Sequence, residues 1–201
     1  MLALPGSRSG EIRHHAAVFG QAIGKLRQRV GPIELVLPTV PHLLDLVRSY
    51  TASWPEQPRI VTDTNQKQAA FRVARAALAK SGTVTLELAL AGIPTVAAYK
   101  GSALEAFVAR RLVQVPSIIL ANVVIGENVV PELLQEDCTA EQLSEALVPL
   151  VGDTPERRRQ LDAFSRLDAI MEIGSLPPAE RAAEIVLATA RKSELHFAGV
   201  D

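Results

Sequence analysis

Short apolar runs alternate along the chain with longer segments whose apolar residues recur every three or four positions. Residues 1–4, 34–37, 59–62, 76–79, 95–98 and 117–120 read as six short strands. Segment 11–29 carries Ile12, Ala16, Phe19, Ile23 and Leu26 on one helical face, with basic residues opposite. Further helices are predicted for about 41–52, 63–75 and 103–113, and another starts after Thr83. Beyond Pro131 the pattern is helical only, at 131–135, 140–151, 155–173 and 178–191. Strands apolar at almost every position need cover on both faces. The expected fold class is therefore α/β: a Rossmann-like parallel sheet with helices on both faces, followed by C-terminal helices.

Residues 1–151 are expected to form that nucleotide-binding domain, and 152–191 to form helices packing on it. Segment 192–201 lacks a clear period and reads as a disordered tail. The chain opens inside its first core strand, without a signal peptide. It reads as the C-terminal part of a longer protein, with Met1 added at its start.

Composition narrows the picture. Apolar residues make up 48% and charged ones 21%, as in an ordinary globule. A net charge of −1 leaves no basic surplus for a nucleic-acid backbone, so no nucleic-acid partner is expected. The one cysteine, Cys138, excludes an internal disulfide and fits a reducing compartment. Acidic neighbours suit it to a structural rather than a reactive role. Lys100, Arg110 and Arg111 lie near Phe107, Val108 and Leu112. They form either a solvated helix face or a contact for acidic lipid head groups.

The loops after the strands carry the candidate chemistry, because ligands of such sheets bind beyond the carboxyl ends. In the loop after strand one, Gly6 permits a sharp turn, Ser7 offers a hydroxyl, and Arg8 can pair with a phosphate. The alternative is a surface loop in which Ser9 and Glu11 merely cap a helix. Ser81-Gly82-Thr83 repeats the arrangement after strand four, where backbone N–H groups meet a helix start. One helical turn on, Glu87 presents a carboxylate suited to ribose hydroxyls. Its alternative is Thr83 as helix cap with Glu87 as a first-turn acid. Asn122 offers an amide to a sugar hydroxyl or phosphate, or else stabilises its own loop. The histidines His14, His15, His42 and His196 have no ligand-like spacing, and no metal is expected. The Gly-x-Gly-x-x-Gly fingerprint of nicotinamide enzymes is absent. A turn for phosphate and an acid for ribose together point to a nucleotide.

Five blocks carry a resemblance. They are Leu4-Pro5-Gly6-Ser7-Arg8 with Glu11, Ser81-Gly82-Thr83 with Leu86-Glu87, Pro94 with Tyr99-Lys100, Asn122, and Val130-Pro131-Glu132-Leu133-Leu134-Gln135. In order and spacing this set resembles lipid-A-disaccharide synthase from Leu2 to about Leu150. A weaker likeness, mainly the turn and its glutamate, extends to other two-domain transferases that use UDP-sugars. The resemblance implies one half of a GT-B fold, the half that binds the donor UDP-2,3-diacylglucosamine. It implies transfer to 2,3-diacylglucosamine 1-phosphate with release of UDP, without a metal or other cofactor. Gly6, Ser7 and Arg8 would meet the phosphates, and Ser81, Gly82 and Thr83 would offer donors to them. Glu87 would take the ribose, and Asn122 would sit near the donor. The acceptor site and general base would lie in a missing N-terminal domain, so this chain alone is not expected to turn over. The resemblance further implies a cytoplasmic protein peripheral to the anionic inner membrane, and a homodimer. The rivals are a sugar-nucleotide epimerase of the same fold, which needs acids and a histidine in the cleft, and a non-enzymatic nucleotide-binding module.

Overall fold

A computed structural model describes residues 1–101, 117–171 and 178–197. Among these, six parallel strands stand in the order β3-β2-β1-β4-β5-β6. They are β1 (Leu2–Leu4), β2 (Val36–Pro38), β3 (Arg59–Val61), β4 (Ala77–Lys80), β5 (Thr95–Tyr99) and β6 (Glu132–Leu134). Leu2 is in register with both Val36 and Ala77, and Ala77 with Thr95. The connecting helices are α1 (Ser9–Val30), α2 (Leu44–Thr51), α3 (Thr64–Val73), α4 (Val84–Leu90) and α5 (Leu120–Ile125). After β6 come α6 (Ala140–Val151), α7 (Pro155–Phe164), α8 (Leu167–Ile170) and α9 (Pro178–Phe197).

Strand residues alternate between two apolar layers, which is why the runs are apolar throughout. Ala3, Leu37, Leu78, Val96 and Ala98 face a cluster built from Ile12, Phe19, Ile23 and Leu26 of α1 with Leu143 and Leu147 of α6. Leu2, Leu4, Val36, Ala77 and Ala79 face the other way, against Ala70 of α3 and Leu88 of α4. Ala97 joins Ile119, Ala121, Ala163 and Phe164 on that second side. Complete burial of one such large side chain contributes about 1.5–3 kcal/mol. Along α1, Gly20 and Gly24 let the next connection come close: a Cβ on Gly20 would sit 2.4 Å from the Trp54 ring, and one on Gly24 2.9 Å from Pro55.

Four elements differ from the sequence expectation. Residues 117–120 are not strand six but lead into α5, and 131–135 are not a helix but hold β6. Proline followed by glutamate imitates a helix start. The backbone of this segment is instead claimed by β5, with Ala97 N–H donating to the Pro131 carbonyl at 2.9 Å. The helix expected over 155–173 breaks after Phe164, and α9 continues to Phe197, through part of the expected tail. The helix expected at 103–113 lies outside the described residues. The chain divides into two compact units, Met1–Leu167 and Asp168–Asp201. The first holds the sheet with α1 to α7. In the second, α9 leaves Ile185, Val186 and Leu187 more than half exposed.

Candidate functional site

The strand order reverses between β1 and β4: successive connections from β1 run to one side, and β4 begins the other half. Such a reversal opens a crevice at the carboxyl edge of a parallel sheet. Here that crevice is a cleft of about 480 Å³. Its walls come from the loops after β1, β2 and β4 and from the starts of α3 and α4.

The loop after β1 is set by Gly6 and Glu11. Gly6 has φ +135°, a conformation that side-chain-bearing residues rarely adopt. The turn lets the Glu11 carboxylate fold back and accept the Ser7 N–H at 2.9 Å and the Arg8 N–H at 3.2 Å. The Lys80 ammonium, at the end of β4, lies 3.1 Å from the same carboxylate, and the Arg8 guanidinium 3.6 Å. Burial alone would raise the Glu11 carboxyl. The Ser7 N–H, the Lys80 ammonium and the Arg8 N–H together hold it below the usual range. Glu11 does serve the helix start, as one alternative had it, and it also joins two neighbouring strand ends. Because it occupies the Ser7 and Arg8 N–H groups, an incoming anion meets the side chains of this loop, with Arg8 84% exposed at the rim.

Across the cleft, Gly82 and Thr83 form the turn after β4. The Thr83 side chain makes no capping bond, and it is the Thr85 hydroxyl that bonds the Gly82 carbonyl at 2.7 Å. With seven residues, α4 contributes only a weak terminal dipole. Glu87 lines the cleft one turn from Thr83, as the spacing predicts, and its Oε2 accepts from Lys67 Nζ at 2.9 Å. Its other oxygen has no partner among the described residues and can accept from a ligand hydroxyl.

Two expected residues stand elsewhere. Ser81 is 7% exposed, its N–H donates to the Ala98 carbonyl at 2.8 Å, and it does not line the cleft. Burial follows from its place as the next ladder residue after β4. Asn122, 2% exposed, turns its amide inward. Its Oδ1 accepts from Val129 and Val130 N–H, and its Nδ2 donates to the Val130 carbonyl and to Glu132. Every bond seats β6 and none faces the cleft, so the loop-stabilising alternative describes it. Gly6, Ser7, Arg8, Gly82, Thr83 and Glu87 do meet around one space.

The sequence reading missed Lys67, Lys80 and Thr39. The Thr39 hydroxyl, beside the cleft after β2, is buried without a partner among the described residues and could bond a ligand. Among the described residues, no three His, Cys, Asp or Glu side chains gather as a metal set.

His15 braces the site from below. Lys100 N–H donates to its Nε2 at 2.9 Å, so the proton sits on Nδ1 and is given to the Glu11 carbonyl at 2.7 Å. The neutral ring thereby ties the start of α1 to the end of β5. Burial pushes its pKa below the ordinary 6.5, helped by Lys80 and His14 and opposed by the Glu11 carbonyl. The unfolded chain then takes the proton first as pH falls, so the stabilisation is complete above 6.5 and is lost on acidification. The melting temperature is expected to fall from about pH 7 to about 5.5, and His15→Phe to flatten that slope. An unchanged slope in the variant would assign the effect elsewhere.

The family model described as lipid-A-disaccharide synthetase matches residues 1–186. The chain is 59% identical over 193 residues to the lipid-A-disaccharide synthase of Nitrobacter hamburgensis, covering 96% of this chain and 49% of that protein. It is likewise 59% identical to that of Bradyrhizobium diazoefficiens, over 192 residues, with the same coverage of each. The chain thus spans about half the length of these relatives. A crystal structure of AviGT4, a glycosyltransferase involved in avilamycin A biosynthesis, matches at 18% identity and a TM-score of 0.35, over 84% of this chain and 50% of that one. So loose a match carries no weight here. Among the described residues, no helix is long and apolar enough to cross a membrane.

Proposed function

Because the chain belongs to the lipid-A-disaccharide synthetase family, we propose that it is the half of a glycosyltransferase that binds a UDP-sugar donor. The donor is UDP-2,3-diacylglucosamine, the acceptor 2,3-diacylglucosamine 1-phosphate, and the products are the lipid A disaccharide and UDP. One observation supports this most: Arg8, from the loop after β1, and Thr83 and Glu87, from the turn and helix after β4, border one cleft at the reversal of strand order. Arg8 and Thr83 suit a diphosphate, and Glu87, oriented by Lys67, suits the ribose hydroxyls. The second domain, which its relatives are long enough to include, supplies the acceptor site and the base. This chain alone binds without turning over. The working protein sits at the cytoplasmic face of the inner membrane, as a homodimer.

As the glycosidic bond breaks, negative charge grows on the departing UDP. Cations fixed beforehand at that point stabilise the transition state more than the ground state. In a half-cleft open to water each contact is worth less. The epimerase alternative gains nothing here, since among the described residues no histidine lines the cleft. Titration calorimetry is expected to give heat with UDP and far less with ADP. Arg8→Ala and Glu87→Ala should each weaken UDP by about tenfold, the loss of one hydrogen bond to a charged group. Equal heats for both nucleotides, or none for either, would overturn the reading.

A further inference from the structure

Lys80 has no counterpart among the expected site residues, yet it holds a central place in the cleft. It is the last residue of β4, between β1 and β5, and its side chain is only 18% exposed. Its ammonium lies 3.1 Å from Glu11 Oε1 and 5.6 Å from the centre of the Tyr99 ring, which backs it. A Cβ on Gly82 would sit 3.7 Å from Nζ, in ordinary van der Waals contact, so the ammonium lies beside that turn. Lys80 therefore stands between the two loops, with Ser7 and Arg8 on one side and Gly82 and Thr83 on the other.

The charges around it do not balance. Glu11 is shared among two N–H groups, Lys80 and Arg8, and Glu87 is engaged by Lys67. Three cations, Arg8, Lys67 and Lys80, thus face two carboxylates across the cleft. A strongly hydrated ammonium is costly to desolvate unless anionic partners surround it. One overcommitted carboxylate leaves room for a second anion at the same nitrogen.

Building on the donor-site reading, we propose that Lys80 is the principal cation for the diphosphate of the bound nucleotide. Glu11 holds the ammonium in place, aimed between the loops, while the site is empty. The diphosphate then becomes its second partner, and Tyr99 keeps the chain from swinging away. Arg8, at the rim, is the outer contact for the same group.

The test compares UDP with uridine, which shares the ribose and base but carries no phosphate. UDP is titrated by calorimetry and uridine by ligand-observed NMR, on the wild-type chain, Lys80→Met and Lys80→Arg. Lys80→Met is expected to weaken UDP by about tenfold or more and to leave uridine unchanged. Lys80→Arg should keep UDP affinity close to wild type. Unfolding followed by circular dichroism verifies that each variant is folded, and Lys80→Gln replaces Lys80→Met if that variant is not. Equal losses for UDP and uridine would make Lys80 purely structural and overturn the proposal. So would UDP affinity that survives Lys80→Met. Failure of the wild-type chain to bind UDP at all would instead remove the donor-site reading, and this proposal with it.

Discussion

Gly6→Ala is expected to abolish UDP binding and to destabilise the fold. With φ at +135° the backbone strain alone costs about 1–3 kcal/mol for a residue with a side chain. Space is also lacking, because the new Cβ would lie 2.4 Å from Glu11 Cβ and 2.7 Å from its Oε2. Either the loop shifts or the carboxylate leaves. If it leaves, the Ser7 and Arg8 N–H groups lose their acceptor and Lys80 its counter-ion. The Ser7 and Arg8 N–H groups, the Arg8 guanidinium and the Lys80 ammonium all depend on that one carboxylate. Calorimetry with UDP and urea unfolding measure the two effects together. Wild-type affinity in Gly6→Ala would show that this loop does not shape the site.

Phe19→Ala should cause the larger loss of stability, about 3–5 kcal/mol. Phe19 is fully buried between α1 and the sheet. Its removal leaves a cavity where helix and strands cannot close up without moving the whole of α1. The ring also meets His15 edge-on at 5.7 Å, so the brace between α1 and β5 loosens with it. Against a typical total of about 5–15 kcal/mol, such a loss brings the fold near its limit. Urea titration read by circular dichroism gives the value. A change below about 1 kcal/mol would mean that the core repacks freely around the gap.

The architecture was legible because a doubly covered sheet writes itself into the chain as apolar runs and helical periods. The first five strands fall within a residue or two of their predicted places. Strand six was not legible. Glu132–Leu134 is an edge strand of three residues, defined by Ala97 on one side and by the Asn122 clamp, neither of which is local. Its local preference reads as a helix, and pairing overrides it. The site shows the same division. Gly6, Arg8, Thr83 and Glu87 announce themselves through turns and helical spacing. Lys67 and Lys80 carry no local signature, since their partners Glu87 and Glu11 are distant in sequence and meet them only after the sheet assembles. Asn122 and Ser81 have the right chemistry in the wrong direction, because burial turned them inward.

The close approach at Gly20 has a practical consequence. Trp54 is the protein's single tryptophan, 5% exposed and pressed against α1. It precedes β3, so it lies at the amino edge of the sheet, away from the cleft at the carboxyl edge. Its emission will shift to the red when α1 separates from that connection and will stay nearly constant when a ligand enters. The natural sequence thus contains an unfolding probe that does not register binding, and the two equilibria can be followed in one sample without a label.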